Sequence, residues 1–435
     1  MIKLERPAVL FALLCSIALP LAAQTEIDLH GSVETLHALP FSKDRGLTDS
    51  RTAFTGEVNV YAGGAAAFVS LSAEYNGVSP DRTGFSLGEA WADWGAGGFS
   101  LRLGRQLVSW GVAEGLVLSD VVCPQNLISY VGLDFAGSRL AVDGVRLRYS
   151  FPALAVEALW LPLFTPARLP GDAKNPLHGI FYPPSVDVGG TVLPVSIGEA
   201  ALPQVLADGE YGLRVSCYTS ALDFSFTGFY GWNDVPHMNK KRILPADPST
   251  PTGIELTPGY ARTVTAGADA GIPLGELLLR LETTWTGGGR YDRPAGETAA
   301  ILMSGESDEP VEKNNLKALA GIDWNTAGWT LSAQYYEDLL PDARGGGTER
   351  PWRKNGLSLR IAKGLFRETL NISAWCYLDL ADFDSAGSVS ADYALTDALS
   401  FSLGSDFFTG GIDNRGSYGA YKDLSCLWFK GVFRF

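Results

Sequence analysis

Beyond its first twenty residues, the 435-residue sequence has no run of about eighteen apolar residues, the length a spanning helix needs. A bundle of transmembrane helices is thereby excluded. Charge is scarce as well. Asp, Glu, Lys and Arg make up 19% of the chain, below the usual ~25%. The 34 basic residues are outnumbered by 48 acidic ones, for a net charge of −14. A nucleic-acid binder would need a basic face, so that class is set aside. Only four His occur, with no C-x-x-C, no H-E-x-x-H and no Walker loop. No catalytic residue, cofactor or metal site is expected. Beyond residue 23 the Cys are Cys123, Cys217, Cys376 and Cys426, and their spacings suggest single thiols rather than a disulfide framework. Disorder is excluded by 46% hydrophobic and 11% aromatic content. What is left is a glycine-rich chain, apolar without helical spans.

Residues 1–23 read as a signal peptide. Lys3 and Arg6 precede an apolar stretch from Val9 to Leu19, and Ala22-Ala23 offers a small-residue cleavage site. Cys15 permits a lipoprotein reading, but Leu14 before it is bulkier than the usual small residue.

The rest alternates apolar and polar residues with the period of a strand. Val69, Leu71, Ala73 and Tyr75 oppose Ser70, Ser72 and Glu74. Leu277, Leu279, Leu281 and Trp285 oppose Arg280, Glu282 and Thr284. Such segments run to about ten residues, enough for a membrane strand. Short connections, such as Gly63-Gly64, Ser220-Ala221 and Thr326-Ala327, alternate with long ones. Transmembrane barrels have this rhythm of short periplasmic turns and longer outer loops. Counting strands predicts an all-β, antiparallel transmembrane β-barrel of about 18 strands, with 16 as the alternative. Residues 24–435 form one such domain, and 164–208 is its long extracellular loop. Asp143-Gly144 and Glu89 interrupt the alternation, and Gly287 to Gly289 read as loop.

Lipid cannot hydrogen-bond the free edges of an open sheet, so the strands must close. At this size the interior is too wide for side chains to fill. Taking apolar parity as lipid-facing, the lumen receives Arg102, Arg146, Arg148, Arg214 and Arg280, with Glu157 and Glu282 among the acids. Arg102, Arg146, Arg148 and Arg214 would make a basic stretch of wall; the blander reading is that these charges pair across strands.

The stretch 107–137 is too apolar for a free surface loop, with Leu116 to Leu118 and Val121-Val122. It is expected either to fold into the mouth and constrict the pore, or to form a corner in which Arg105 pairs with Asp120. In the first case Trp110 and Leu127 pack on the wall. Gln106, Glu114, Asp120 and Gln125 are then the candidate polar groups.

Gly104-Arg105-Gln106, Trp110-Gly111, Glu114-Gly115, Asp120 and Pro124 carry a resemblance. The run resembles the signature of a little-characterised family of Gram-negative outer-membrane porin-like barrels. There it reads G-R-Q-x-x-x-W-G-x-x-D-G, then D-x-x-N-P-x-D. This chain has Glu114 for Asp, Cys123 for Asn and Asn126 for Asp. The resemblance implies a porin-like or substrate-export barrel, with no specific substrate. A last strand ending in Phe433 and Phe435 is similar to the C-terminal signal read by the outer-membrane barrel assembly machinery.

The expected function is a porin-like channel for small polar or charged solutes. The alternatives are an adhesin-like barrel whose loops bind a partner, or a hydrophobic-ligand transporter. Expected partners are outer-membrane lipids and a small solute; oligomeric state is left open.

Overall fold

The computed structural model describes residues 25–42, 46–113, 115–116, 118–132, 138–188, 190–243, 252–411 and 417–435. The signal peptide and Glu114 lie outside the described residues. The strands begin with β1 (Thr25–Pro40), β2 (Asp49–Ala62), β3 (Ala65–Asn76), β4 (Gly84–Ala96), β5 (Phe99–Gln106), β6 (Val142–Ser150) and β7 (Leu154–Leu161). Next come β8 (Ser185–Val188), β9 (Thr191–Ile197), β10 (Glu210–Tyr218), β11 (Asp223–Trp232), β12 (His237–Ile243), β13 (Gly253–Gly259), β14 (Arg262–Leu274) and β15 (Leu277–Tyr291). The last are β16 (Ser307–Asp308), β17 (Val311–Thr326), β18 (Trp329–Leu339), β19 (Arg353–Leu365), β20 (Leu370–Asp379), β21 (Ser385–Ala394), β22 (Leu399–Thr409) and β23 (Cys426–Arg434).

Eighteen of these form one sheet in which each strand pairs antiparallel with the next, and β23 returns to pair with β1. The barrel is closed, so no edge strand faces lipid, as hydrocarbon demands. Its strands run from 8 to 16 residues, long enough to cross a bilayer at a tilt. Eight turns at one end are short. The nine connections at the other end are longer, which marks that end as extracellular.

Outward positions carry the apolar set. Leu281, Ile322, Leu359, Ile372, Val389 and Leu403 are all exposed there. Trp324 and Trp329 stand near the short-turn end, and Trp285 and Tyr335 towards the other, as two aromatic girdles would. The inward set is polar, with Thr284, Asp323, Ser332, Gln334, Ser358 and Ser402 shielded inside.

Two breaks in the alternation have local causes. Between Val69 and Leu71 the β3–β4 register shifts, and Gly88 and Glu89 fall opposite Ser70. This bulge turns Trp91 and Asp93 inward. A second shift, between Thr286 and Gly289, absorbs Gly287 and Gly288 into β15, so these glycines are strand rather than loop. Asp143-Gly144 is no bulge: β5 and β6 pair in register through both residues. Residues 84–88 spell G-x-S-x-G, but they lie within β4, not at the strand-to-helix turn a nucleophile elbow requires.

The outer loops are partly built. The hairpins β8–β9 and β12–β13, with β16, form a five-stranded sheet of their own. Ile254 and Leu256 of that sheet and Leu302 of helix α1 (Ala295–Ser304) make its small core. The stretch 164–208 is therefore divided. Its later part enters this sheet, while Arg168 and Asn175 belong to the barrel mouth.

Candidate functional site: a segment clamped across the lumen

The connection from β5 to β6 enters the barrel. Its approach is set inside β5, where Gly104 lies two residues before the strand ends at Gln106. The glycine has φ +119°, and a Cβ would stand 2.3 Å from the carbonyl oxygen of Ala90. Gly104→Ala is expected to cost about 1–3 kcal/mol in strain, read as a lower heat-denaturation temperature of the detergent-solubilised barrel. A value unchanged from wild type would refute that account.

Trp110 then seats on the wall. It is 2% exposed, meets Phe229 edge-on at 6.3 Å, and donates from Nε1 to Glu157 at 2.9 Å. Val108, Val122 and Cys123 pack beside it against Val142, Leu159 and Leu161 of β6 and β7. Burial pushes the Cys123 thiol up to about 12, so it is held as a neutral thiol. Asp120 is buried too. It accepts from the Trp110 N–H at 3.1 Å and pairs with Arg139 at 2.5 Å. Burial raises its carboxyl above the usual range, and the Arg139 charge draws it back. The corner is therefore built on Arg139, while Arg105 pairs with Asp143 on the outer face at 2.9 Å.

The far wall supplies carboxylates for backbone donors. Glu282 of β15 accepts from the N–H groups of Val112 and Ala113 at 2.8 Å each. Its other oxygen accepts from the N–H and Oγ of Ser119, both at 2.7 Å. Gly111 makes this possible: its φ is +91°, and a Cβ would lie 2.8 Å from the Glu282 carboxylate. Arg280 donates to the Val112 carbonyl at 2.8 Å and also pairs with Asp323. Tyr377 of β20 donates to the Gly115 carbonyl at 2.7 Å, and Asp406 of β22 accepts from the Gly132 N–H at 2.8 Å.

The crossing ends at β23 and β1. Tyr130 and Val131 pack with Leu36, Leu424, Cys426 and Trp428, joined by Leu177 from the β7–β10 connection. That connection also lies alongside. Leu127 donates to the Arg168 carbonyl at 2.8 Å, and Asn175 donates to the Ile128 carbonyl at 3.0 Å.

Most of the inward arginines are neutralised where they stand. Arg102 pairs with Asp93 at 2.9 Å and lies 3.7 Å over the Trp91 ring. Arg146 donates to Glu157 at 2.8 Å. Arg214 donates to Ser225 at 2.9 Å and reaches Asp269 at 3.5 Å. Arg148 faces Glu157 across β6–β7 but makes no ion pair among the described residues. Arg102 and Arg146 are direct cross-strand neighbours, and Arg214 stands opposite Glu157. One patch of wall from β5 to β10 thus holds four arginines. Gln106 is wholly buried and bonds the Gly144 carbonyl at 3.2 Å, presenting nothing to the lumen. Asp406 lies inside, as its place in the alternation of its strand implies, whereas the inward acid Asp49 and the tether Arg139 had no mark in that pattern.

No protein-family model matches the chain, and no curated protein matches it. Solved structures do. OccAB1 of Acinetobacter baumannii aligns over 94% of this chain and 96% of its own, at 9% identity and a TM-score of 0.53. OccK3 (OpdO) of Pseudomonas aeruginosa aligns over 94% and 95%, at 10% identity and a TM-score of 0.51. OccK8 (OprE) of the same organism aligns over 94% and 98%, at 7% identity and a TM-score of 0.52. At this identity the likeness is one of fold: a closed eighteen-stranded barrel of the kind these outer-membrane porins share.

Proposed function

We propose that the chain acts in the outer membrane as a porin-like channel. It passes small polar or charged solutes by diffusion or facilitated transport past the inserted segment. The observation that carries this reading is the crossing itself. A segment that enters at β5 is fixed to β7, β15, β20, β22 and β23, which narrows a closed, polar-walled lumen without filling it by chance contacts. The Occ and Opd fold supports the same reading. So does the signature of residues 104–115, whose Trp110 and Gly111 serve that crossing and by which we assign the chain to the porin-like family it resembles. Under this reading Phe435 closes the signal for the assembly machinery, and no catalytic step is involved.

Purified barrel in planar bilayers should give stable single-channel steps, and liposomes containing it should swell in sugars and amino acids up to a size limit. A silent bilayer would count against the channel and for the surface-interaction reading, which the outer five-stranded sheet favours. Hydrophobic ligands fit poorly, because the inward faces are polar.

A further inference from the structure

The crossing leaves a cavity of about 470 Å³ between itself and the wall of β1, β2, β3 and β23. This is a different wall from the four-arginine patch of β5 to β10. Its lining is rich in cations: Arg51, Arg82, Arg168, Lys430 and Arg434. Only Glu34 and Glu74 oppose them within the lining, with Asp49 buried behind.

Two of the cations are held rigid. Asp49 bridges Arg51 at 2.8 Å and Arg82 at 2.9 Å, and Arg51 also meets Glu34 at 3.1 Å. Arg82 meets Glu74 at 2.9 Å. Among the described residues the other three have no carboxylate partner. Arg168 donates to the Asp81 carbonyl at 2.6 Å and Arg434 to the Ser400 hydroxyl at 3.3 Å. Lys430 makes no hydrogen bond or ion pair among the described residues. Five positive charges face two carboxylates in the lining, with Asp49 and Asp406 buried behind it, so among the described residues the wall is cationic on balance, its donors converging from several sides on one polar space.

We infer that this cavity is a binding subsite for the dianionic phosphate group of a small solute. The inference rests on the channel reading for how the solute arrives. A cationic wall suits a phosphate monoester, which carries about −1.5 to −2 at neutral pH. Its three terminal oxygens can accept from several directions, as the separated Lys and Arg donors require. A planar carboxylate carries one charge and only two acceptor oxygens, so it would engage fewer of these separated donors. Ser32, Ser129 and Asn126 add neutral polar groups suited to the hydroxyls of an attached sugar.

The test is current block of the full-length barrel in planar bilayers with glucose 6-phosphate, inorganic phosphate, glucuronate and glucose as probes. Glucose 6-phosphate is expected to interrupt the potassium chloride current, with glucuronate and glucose roughly tenfold weaker or more. Lys430→Gln, which breaks no ion pair, should weaken block by roughly the same factor while leaving the open-channel current in place. Block by inorganic phosphate as strong as by the ester would identify free phosphate as the source of the recognised group. Equal block by glucuronate, or unchanged block in Lys430→Gln, overturns the inference. Absence of any chloride current would instead overturn the channel reading. Calorimetric titration of glucose 6-phosphate into the detergent-solubilised barrel then decides the subsite, with no binding overturning it.

Discussion

Glu282→Ala should widen the pore, raising single-channel conductance by roughly twofold or more because the narrowing of such a lumen sets its flux. Glu282 is 4% exposed and is the sole fixed point through which β15 accepts hydrogen bonds from Val112, Ala113 and Ser119. Its loss strands three backbone donors. Each such group costs about 1–3 kcal/mol when left unsatisfied, less where lumen water reaches it. The segment keeps its Trp110 seat, its Tyr130 end and the bonds of Arg280 and Tyr377 to the carbonyls of Val112 and Gly115, so the loosening centres on the stretch around Ser119. Arg280, freed from part of its surroundings, still has Asp323. Glu282→Gln retains one acceptor oxygen and should fall between wild type and Ala. Deletion of residues 112–130 sets the upper limit of the series. If conductance stays at the wild-type value in all three, the crossing is not the narrow point, and the constriction account is wrong.

The barrel was legible in the sequence because its determinants are local. Leu277 to Trp285 alternate because one face meets lipid and the other water, and that choice repeats on every strand. Turns such as Gly63-Gly64 announce themselves by residue type and by the shortness of the connection, and the one expected at Thr326-Ala327 falls one residue on, at Ala327-Gly328. The site was only half legible. Trp110 and the apolar run around Val121 betray a segment that cannot lie in water, and that much a sequence can say. It cannot say that the acceptors of Val112, Ala113 and Ser119 lie on β15, more than 160 residues away. Backbone donors have no signature in side chains. The Arg105–Asp120 pairing failed for a related reason. Position on the outer face gave Arg105 to Asp143, directly opposite on β6, and left Asp120 to Arg139, which no spacing rule links to it. Gln106 was counted among the polar groups of the constriction, but at the end of β5 it is wholly buried and spends its amide on the Gly144 carbonyl of β6.

Leu281→Arg should impair assembly while sparing conductance in whatever barrels form, the reverse of its neighbour Glu282. Leu281 points outward and is 47% exposed; it sits halfway along β15 between Leu277 near the short-turn end and Trp285 in the outer girdle. That places it near the middle of the apolar band. An arginine at such a depth on the lipid face of a barrel costs about 2–4 kcal/mol, falling towards zero near the interfaces. The total stability of a folded domain is only about 5–15 kcal/mol, so this one change removes a large share of it. The expected readout is a loss of the heat-modifiable gel species and of protein recovered in the outer membrane. The depth dependence provides the internal control. Arg290, on the same strand five residues beyond Trp285, already stands at the outer end and pairs with Glu312 at 3.3 Å, so charge is tolerated there. Thr283→Arg should be nearly as harmful as Leu281→Arg, and Trp285→Arg milder, giving a gradient along a single strand. A flat response at all three positions, with full assembly, would mean that this face does not meet hydrocarbon, and the membrane-spanning barrel would have to be abandoned.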